Sequence, residues 1–300
     1  MRTVYYGGQA VVDGVMMRGL SQATTIVRAP DGRLVSRTED LPGAVRGQVA
    51  RLPLIRGLIA LWEMLILGTR MMLFSARVHS GIAEEDVSKR TVGIMLAFSM
   101  TLAVGLFFVF PLVVSRAAGG VVHDSLVGNI VEGIIRLALF LGYLTLIARM
   151  PQMYRVFQYH GAEHKTINAY EAGATLTPEQ VQRYSTLHVR CGTAFLLWVA
   201  ALSIVVFAVL GHPPFLIGIV SRILLVPLIA ALGYELLRLG ARFYSFTPVR
   251  IVMQPGLWLQ HLTTREPSDD QVEVAIAALR AVLAADLKAI QATGTARLAP

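Results

Sequence analysis

Apolar residues run almost unbroken through four stretches of the chain: residues 91–114, 130–148, 193–211 and 215–237. Each is about as long as a helix must be to cross roughly 30 Å of hydrocarbon, so the pattern predicts four transmembrane helices. The first and third carry no charged residue. The second carries Glu132 and Arg136, four residues apart and able to pair on one helical face, and the fourth carries Arg222 and Glu235. Residues 53–80 are also apolar and helical in pattern, yet Arg56, Glu63, Arg70 and Arg77 recur at every seventh position. They form one polar stripe that drifts only about 20° per heptad. This favours an amphipathic helix lying in the membrane interface, or packed against the bundle, over a fifth span. A fifth span would put the two ends of the chain on opposite sides.

The period changes on either side of this apolar region. In "TTIVRAPDGRLVSRTE", residues 24–39, two alternating β-branched runs flank Pro30-Asp31-Gly32, which predicts a β-hairpin. Residues 1–52 then read as a small β module. After the fourth span, Ser268 and Gln271 make a capping box, and Val272, Ile276, Leu279, Val282, Leu283 and Leu287 lie on one helical stripe. The tail 238–300 therefore carries an amphipathic helix. The expected fold class is a mainly α membrane protein: a four-helix membrane domain over 91–237, the amphipathic helix 53–80, the N-terminal β module and the C-terminal helix.

Composition agrees, with 55% hydrophobic and 15% charged residues among 300. Lys and Arg number 12 in residues 1–90, 5 in 149–192 and 7 from Arg238 onward, against one in 115–129, so both termini and the 149–192 segment are expected in the cytoplasm. The net charge of +8 is accounted for by basic residues beside anionic lipid headgroups and calls for no nucleic acid. No cleavable leader is evident at the N-terminus. A single cysteine, Cys191, excludes an internal disulfide and suits a reducing compartment.

Chemistry concentrates in the segment 149–192. "QYHGAEHKTINAYEAG", residues 158–173, reads as part of a helix running from Tyr154 to near Gly173. On it His160 and His164 stand one turn apart on a common face, a spacing that suits one metal ion. Glu163 falls about 60° away, near enough to accept a proton from a metal-bound water without being a ligand, so that "HGAEH" matches H-x-x-E-H. Glu171 shares the histidine face but lies about 10 Å along the axis, as a supporting or substrate-contacting group. "STLHVRCGTAF" adds His188 and Cys191 just before the third span, giving a ligand set of His160, His164 and His188 with Cys191 nearby. The bland alternatives are a hydrogen-bonded pair of structural histidines and a cysteine that acts as a small buried hydrophobe. "YYGGQAVVDGVMMRG", residues 5–19, is rich in glycine, and its Gln9, Asp13 and Arg18 are candidates for substrate contact. The alternative there is a strand and turn of the β module.

"GGQAVVDGVMMRG", "YHGAEHKTINAYE", "HVRCGTAFLL" and "PGLWLQHLTTREPSDDQVEVAIAAL" resemble, in order, the signature blocks of the YqhQ-like family of bacterial polytopic membrane proteins. The resemblance spans nearly the whole chain. It implies a bacterial inner-membrane protein and a metal-dependent enzyme. Two positions depart from the pattern, Asp13 where glutamate is usual and Val189 where proline is usual. Neither is a proposed ligand.

Two function classes follow. In one, a divalent ion, zinc above others, activates water for a hydrolase whose base is Glu163, acting on lipid-linked or membrane-peptide substrates. In the other the protein is a non-catalytic membrane scaffold or transport accessory, with a structural metal site or none.

Overall fold

The computed structural model describes residues 3–4, 6–41, 52–81, 88–117, 125–211, 213–293 and 297–298. The N-terminal module is an antiparallel meander of β2 (Gly7–Val11), β3 (Gly14–Arg18), β4 (Gln22–Arg28) and β5 (Leu34–Asp40), in that spatial order. The predicted hairpin is β4–β5, turning through Gly32 at φ 84°. The glycine-rich N-terminal stretch supplies the other hairpin, whose two-residue turn holds Asp13 at φ 49°, a left-handed conformation that Asp tolerates better than most residues. A short strand β1 (Thr3–Val4) pairs with β6 (Arg297–Leu298) near the other end of the chain.

Strand alternation divides the sheet's side chains between two cores. Val15, Met17 and Ile26 face α10 (Asp269–Thr293), whose Val272, Ile276, Leu279 and Val282 are the predicted stripe. Val11, Met16, Ala23 and Val27 face the other way, onto Leu67 and Met71 of α1 (Ile55–Ser80). The module is thus a sheet between two helices. Asp286 of α10, fully buried, locks the layers by accepting from the Leu20 amide (2.9 Å), the Ser21 amide (3.2 Å) and the Ser21 hydroxyl (2.9 Å). The Ser268 amide donates to Gln271 Oε1 at 3.0 Å, one half of the predicted capping box.

The rest of the chain builds the helical domain. Helix α2 (Lys89–Val104) runs through a π-helical turn, Gly105–Val109, into α3 (Phe110–Ala117). Then come α4 (Ser125–Ile147), α5 (Pro151–Glu171), the short α6 (Pro178–Val181), α7 (Gly192–Leu210), α8 (Phe215–Arg242) and α9 (Thr247–Thr263). Part of the segment expected at 115–129 lies outside the described residues. Among the described residues five helices are long and apolar enough to cross a membrane, the four expected spans and α1.

The charged residues buried within these helices are paired. Glu132 accepts from Arg136 at 2.6 Å, as the spacing predicts, and from Arg222 at 2.7 Å. Arg136 also donates to the Phe107 carbonyl (2.8 Å), inside the π-helical turn, and to Ser203 Oγ (2.7 Å). This knot therefore ties together α4, α7, α8 and the π-helical turn, with Arg222 only 1% exposed. The first half of the polar stripe of α1 turns inward, where Arg56 pairs with Glu235 and Glu63 with Arg18 at 2.9 Å, while the exposed Arg70 reaches Glu39 at 3.4 Å.

Candidate metal centre

Helix α5 starts at Pro151, whose fixed φ and missing N–H suit a first helical position, and stops where Gly173 turns to φ 72°. It presents the central motif between the sheet and the start of α7. Gly161 in the middle of that motif has a packing role, because a Cβ there would collide with the Arg265 carbonyl oxygen. The close approach brings the segment after α9 alongside α5, where the Arg265 amide donates to the Phe157 carbonyl at 2.9 Å.

His160 Nδ1 lies 2.7 Å from the Thr263 carbonyl oxygen, and His164 Nδ1 lies 2.6 Å from that of Thr186. A carbonyl only accepts, so each Nδ1 carries a proton, and in the neutral imidazole that a metal ion requires each Nε2 offers its lone pair. His160 Nε2 is 3.4 Å from Cys191 Sγ, and the two imidazole rings are 4.3 Å apart between centroids. One donor atom from each of His160, His164 and Cys191 falls within a 4.8 Å span. Two imidazoles whose far nitrogens are fixed by carbonyls, converging with a thiol, form a donor set suited to zinc. The three come from two separate elements, α5 and the cap of α7, and the end of α9 supplies the Thr263 carbonyl.

Electrostatics couple these groups. Burial alone would raise the Cys191 thiol, but the facing His160 and His164 rings bring it well below the usual thiol range. Burial disfavours the imidazolium of His160, yet the Cys191 sulfur, Glu163 and the Thr263 carbonyl hold its pKa up at about 9. Glu163, 5% exposed, has its pKa raised by burial against the pull of both histidines. It lies beside the three donors but outside their converging set, and it accepts from the Gly8 amide of β2.

A profile of the family described as "Protein of unknown function (DUF1385)" matches residues 52–285. The chain belongs to the DUF1385 family. It is also 32% identical over 292 residues to "Uncharacterized protein YqhQ" of Bacillus subtilis (strain 168), an alignment covering 93% of this chain and 92% of the relative. No solved structure matches.

The other expected site residues of this DUF1385 protein lie at varied distances from the donor set. His188 is next to it, its ring 5.6 Å from that of His164, but its Nε2 faces Glu171 Oε2 at 3.6 Å. Glu171 also pairs with Arg190, and against burial the hydrogen bond with His188 and the Arg190 charge hold its carboxyl below the usual range. Gln260 clamps the His188 backbone, accepting from its amide at 2.8 Å and donating to its carbonyl at 2.9 Å. Gln9 is turned away from α5, against Gly68 of α1, and Arg18 is engaged by Glu63. Asp13 pairs with Arg155 and with His79 Nδ1 at 2.5 Å. The residues that sequence reasoning missed are Gly8, Thr186, Gln260 and Thr263. All four act through the backbone or hold a backbone, for which a single sequence has little signal. Gly8 sat in a motif already marked as glycine-rich.

Proposed function

We propose that this protein is a metal-dependent enzyme of the membrane surface, a hydrolase in which His160, His164 and Cys191 hold a divalent ion, zinc above others, and Glu163 is the general base. One observation carries the reading. Only three donors converge among the described residues, and a buried carboxylic acid stands beside them without joining them. A structural zinc site is closed by four protein ligands, whereas a catalytic one keeps a position for water or substrate. The ion would supply Lewis acidity there. The protein's part is the rest: the Thr263 and Thr186 carbonyls fix both imidazole tautomers, and Cys191 offers a thiolate rather than a thiol. Glu163, its pKa raised by burial, is placed to take a proton at neutral pH and return it to a leaving group. His188, oriented by Glu171 and held by Gln260, is adjacent and available to a polar group of the substrate.

The site lies where α7 emerges from the bundle, so lipid-linked or membrane-peptide substrates fit its position. Lysine and arginine asymmetry favours the cytoplasmic face of a bacterial inner membrane for this side. A second reading is a scaffold with a structural ion. It draws support from the depth of His164 and Cys191, 2% and 4% exposed.

Glu163→Gln separates the two. In the enzyme, metal content of the purified protein stays at the wild-type level while complementation of a deletion strain falls by about 10² or more. His160→Ala with His164→Ala loses metal and complementation together. Full complementation by Glu163→Gln at normal abundance would remove the catalytic reading. Equal metal in wild type and the double variant would remove the metal itself.

A further inference from the structure

We propose that α1 lies in the plane of the bilayer surface on the side of the metal centre, with its apolar face in that leaflet, and that the chain crosses the membrane four times although five helices among the described residues are apolar enough to do so. The first ground is parity. Helix α5 packs along β2, and α10 packs on both the sheet and α5, so the sheet, α5 and α10 occupy one side of the membrane. Between the sheet and α5 the chain passes through three candidates, α1, α2–α3 and α4. Three crossings would deliver α5 to the side opposite the sheet it touches. An even number is required, so one of the three does not cross. The next two candidates, α7 and α8, return the chain to α10 on the original side.

Contacts identify the helix that stays out. Leu54, Arg56 and Gly57 meet Tyr234 and Glu235 of α8. Those residues are about 30 Å along the axis from Phe215 at the helix's other end, which is the whole thickness of the hydrocarbon. From there α1 continues along the sheet, through Leu67 and Met71, and ends where His79 meets Asp13. Both halves of α1 are therefore held on the side of the sheet.

The outward face names the occupant. Ile55, Leu58, Trp62, Leu65 and Ile66 fall on one stripe and are all exposed, Trp62 at 66%. This is the reverse of a water-facing amphipathic helix, which shows its charges outward and its apolar stripe to the core. Here Arg56 and Glu63 face inward and are paired, and an apolar strip of this length is not left to water. Helix α9, which like α1 packs against α8, also exposes apolar residues, Ile251, Val252 and Trp258, Trp258 being 62% exposed, and the exposed Arg238, Arg242 and Arg250 of α8 and α9 match anionic headgroups. The occupant is thus the lipid leaflet, and the inference holds whether or not the site carries a metal.

The test uses the full chain in liposomes containing anionic lipid, with bromine placed at shallow or deep acyl carbons. Trp198→Phe with Trp258→Phe leaves Trp62 as the sole tryptophan; Trp62→Phe then allows Ile55→Trp or Ile66→Trp in the same background. An in-plane helix is quenched most by the shallow bromine at all three positions. A fifth span would shift the depth of strongest quenching by about 16 Å between 55 and 66, and would overturn the proposal. So would absence of quenching, which would mean that a second copy of the chain or water covers this face. Should the tryptophan variants fail to fold, Leu52→Cys and Ser80→Cys in the otherwise native chain give an independent answer, with the unmodified chain and its buried Cys191 as blank. An impermeant thiol reagent should treat both positions alike in intact cells. Labelling of one and protection of the other would refute the in-plane helix.

Discussion

Two neighbouring glycines give a controlled test of how the N-terminal sheet supports the site. A Cβ on Gly7 would meet nothing within 4 Å. One on Gly8 would press into the Met16 carbonyl oxygen, lie 3.1 Å from Met17 Sδ and stand 3.2 Å from Cδ of Glu163. Carbon normally stays about 3.5 Å from such atoms, so β2 must move from β3 and α5 by on the order of 1 Å. The carbonyl belongs to a sheet and cannot rotate aside as a side chain would. Overpacking of this kind costs about 1–3 kcal/mol. Gly8→Ala should therefore lower the thermal midpoint of the detergent-solubilised protein by several degrees, read by intrinsic fluorescence, and should lower complementation because the Gly8 amide is carried away from Glu163. Gly7→Ala should match wild type within about 0.5 kcal/mol. Equal midpoints for the two variants would show that β2 does not bear on the site helix.

Two further outcomes are expected. Glu132→Gln removes the carboxylate between Arg136 and Arg222, and a buried ion pair that loses one partner is destabilised by about 3–5 kcal/mol, so membrane abundance should collapse on immunoblots while Glu273→Gln, whose carboxylate is exposed, leaves it unchanged. For Glu171 the folded-state pKa is depressed, so its stabilising contribution is present above the unfolded value of about 4.3 and is lost as pH falls through the lower folded value; Glu171→Gln should flatten the acid limb of the thermal midpoint against pH, and an unchanged limb would refute the assignment.

The spans and the C-terminal helix were legible because each repeats one simple period over many residues. The hairpin β4–β5 was legible from its proline–glycine turn. The hairpin β2–β3 was less so, since Val12-Asp13 is not a common turn pair and Asp13 takes its left-handed conformation with the help of Arg155 and His79, both distant in sequence. At the site, the one-turn spacing of His160 and His164 is local and could be read. The choice between His188 and Cys191 as the converging donor could not, because Gln260 and Glu171 fix the direction of His188 from other elements.

The polar stripe of α1 carries the same lesson in reverse. Heptad spacing gave the relation among Arg56, Glu63, Arg70 and Arg77 but not which way they face. Partners decide that: Glu235 from α8 and Arg18 from β3 draw Arg56 and Glu63 inward and so turn the apolar residues of that half outward. One helix thus joins the membrane domain to the sheet, and the next strand of that sheet, β2, places Gln9 against α1 and the Gly8 amide on Glu163. Only a chain of three contacts separates the lipid-facing stripe from the buried acid: Trp62 beside Glu63 on α1, Gly68 against Gln9, and Gly8 on Glu163. Gly8 is the tightest of these points, because a methyl there would meet the fixed Met16 carbonyl, whereas at Gly68 it would meet the movable end of the Gln9 side chain.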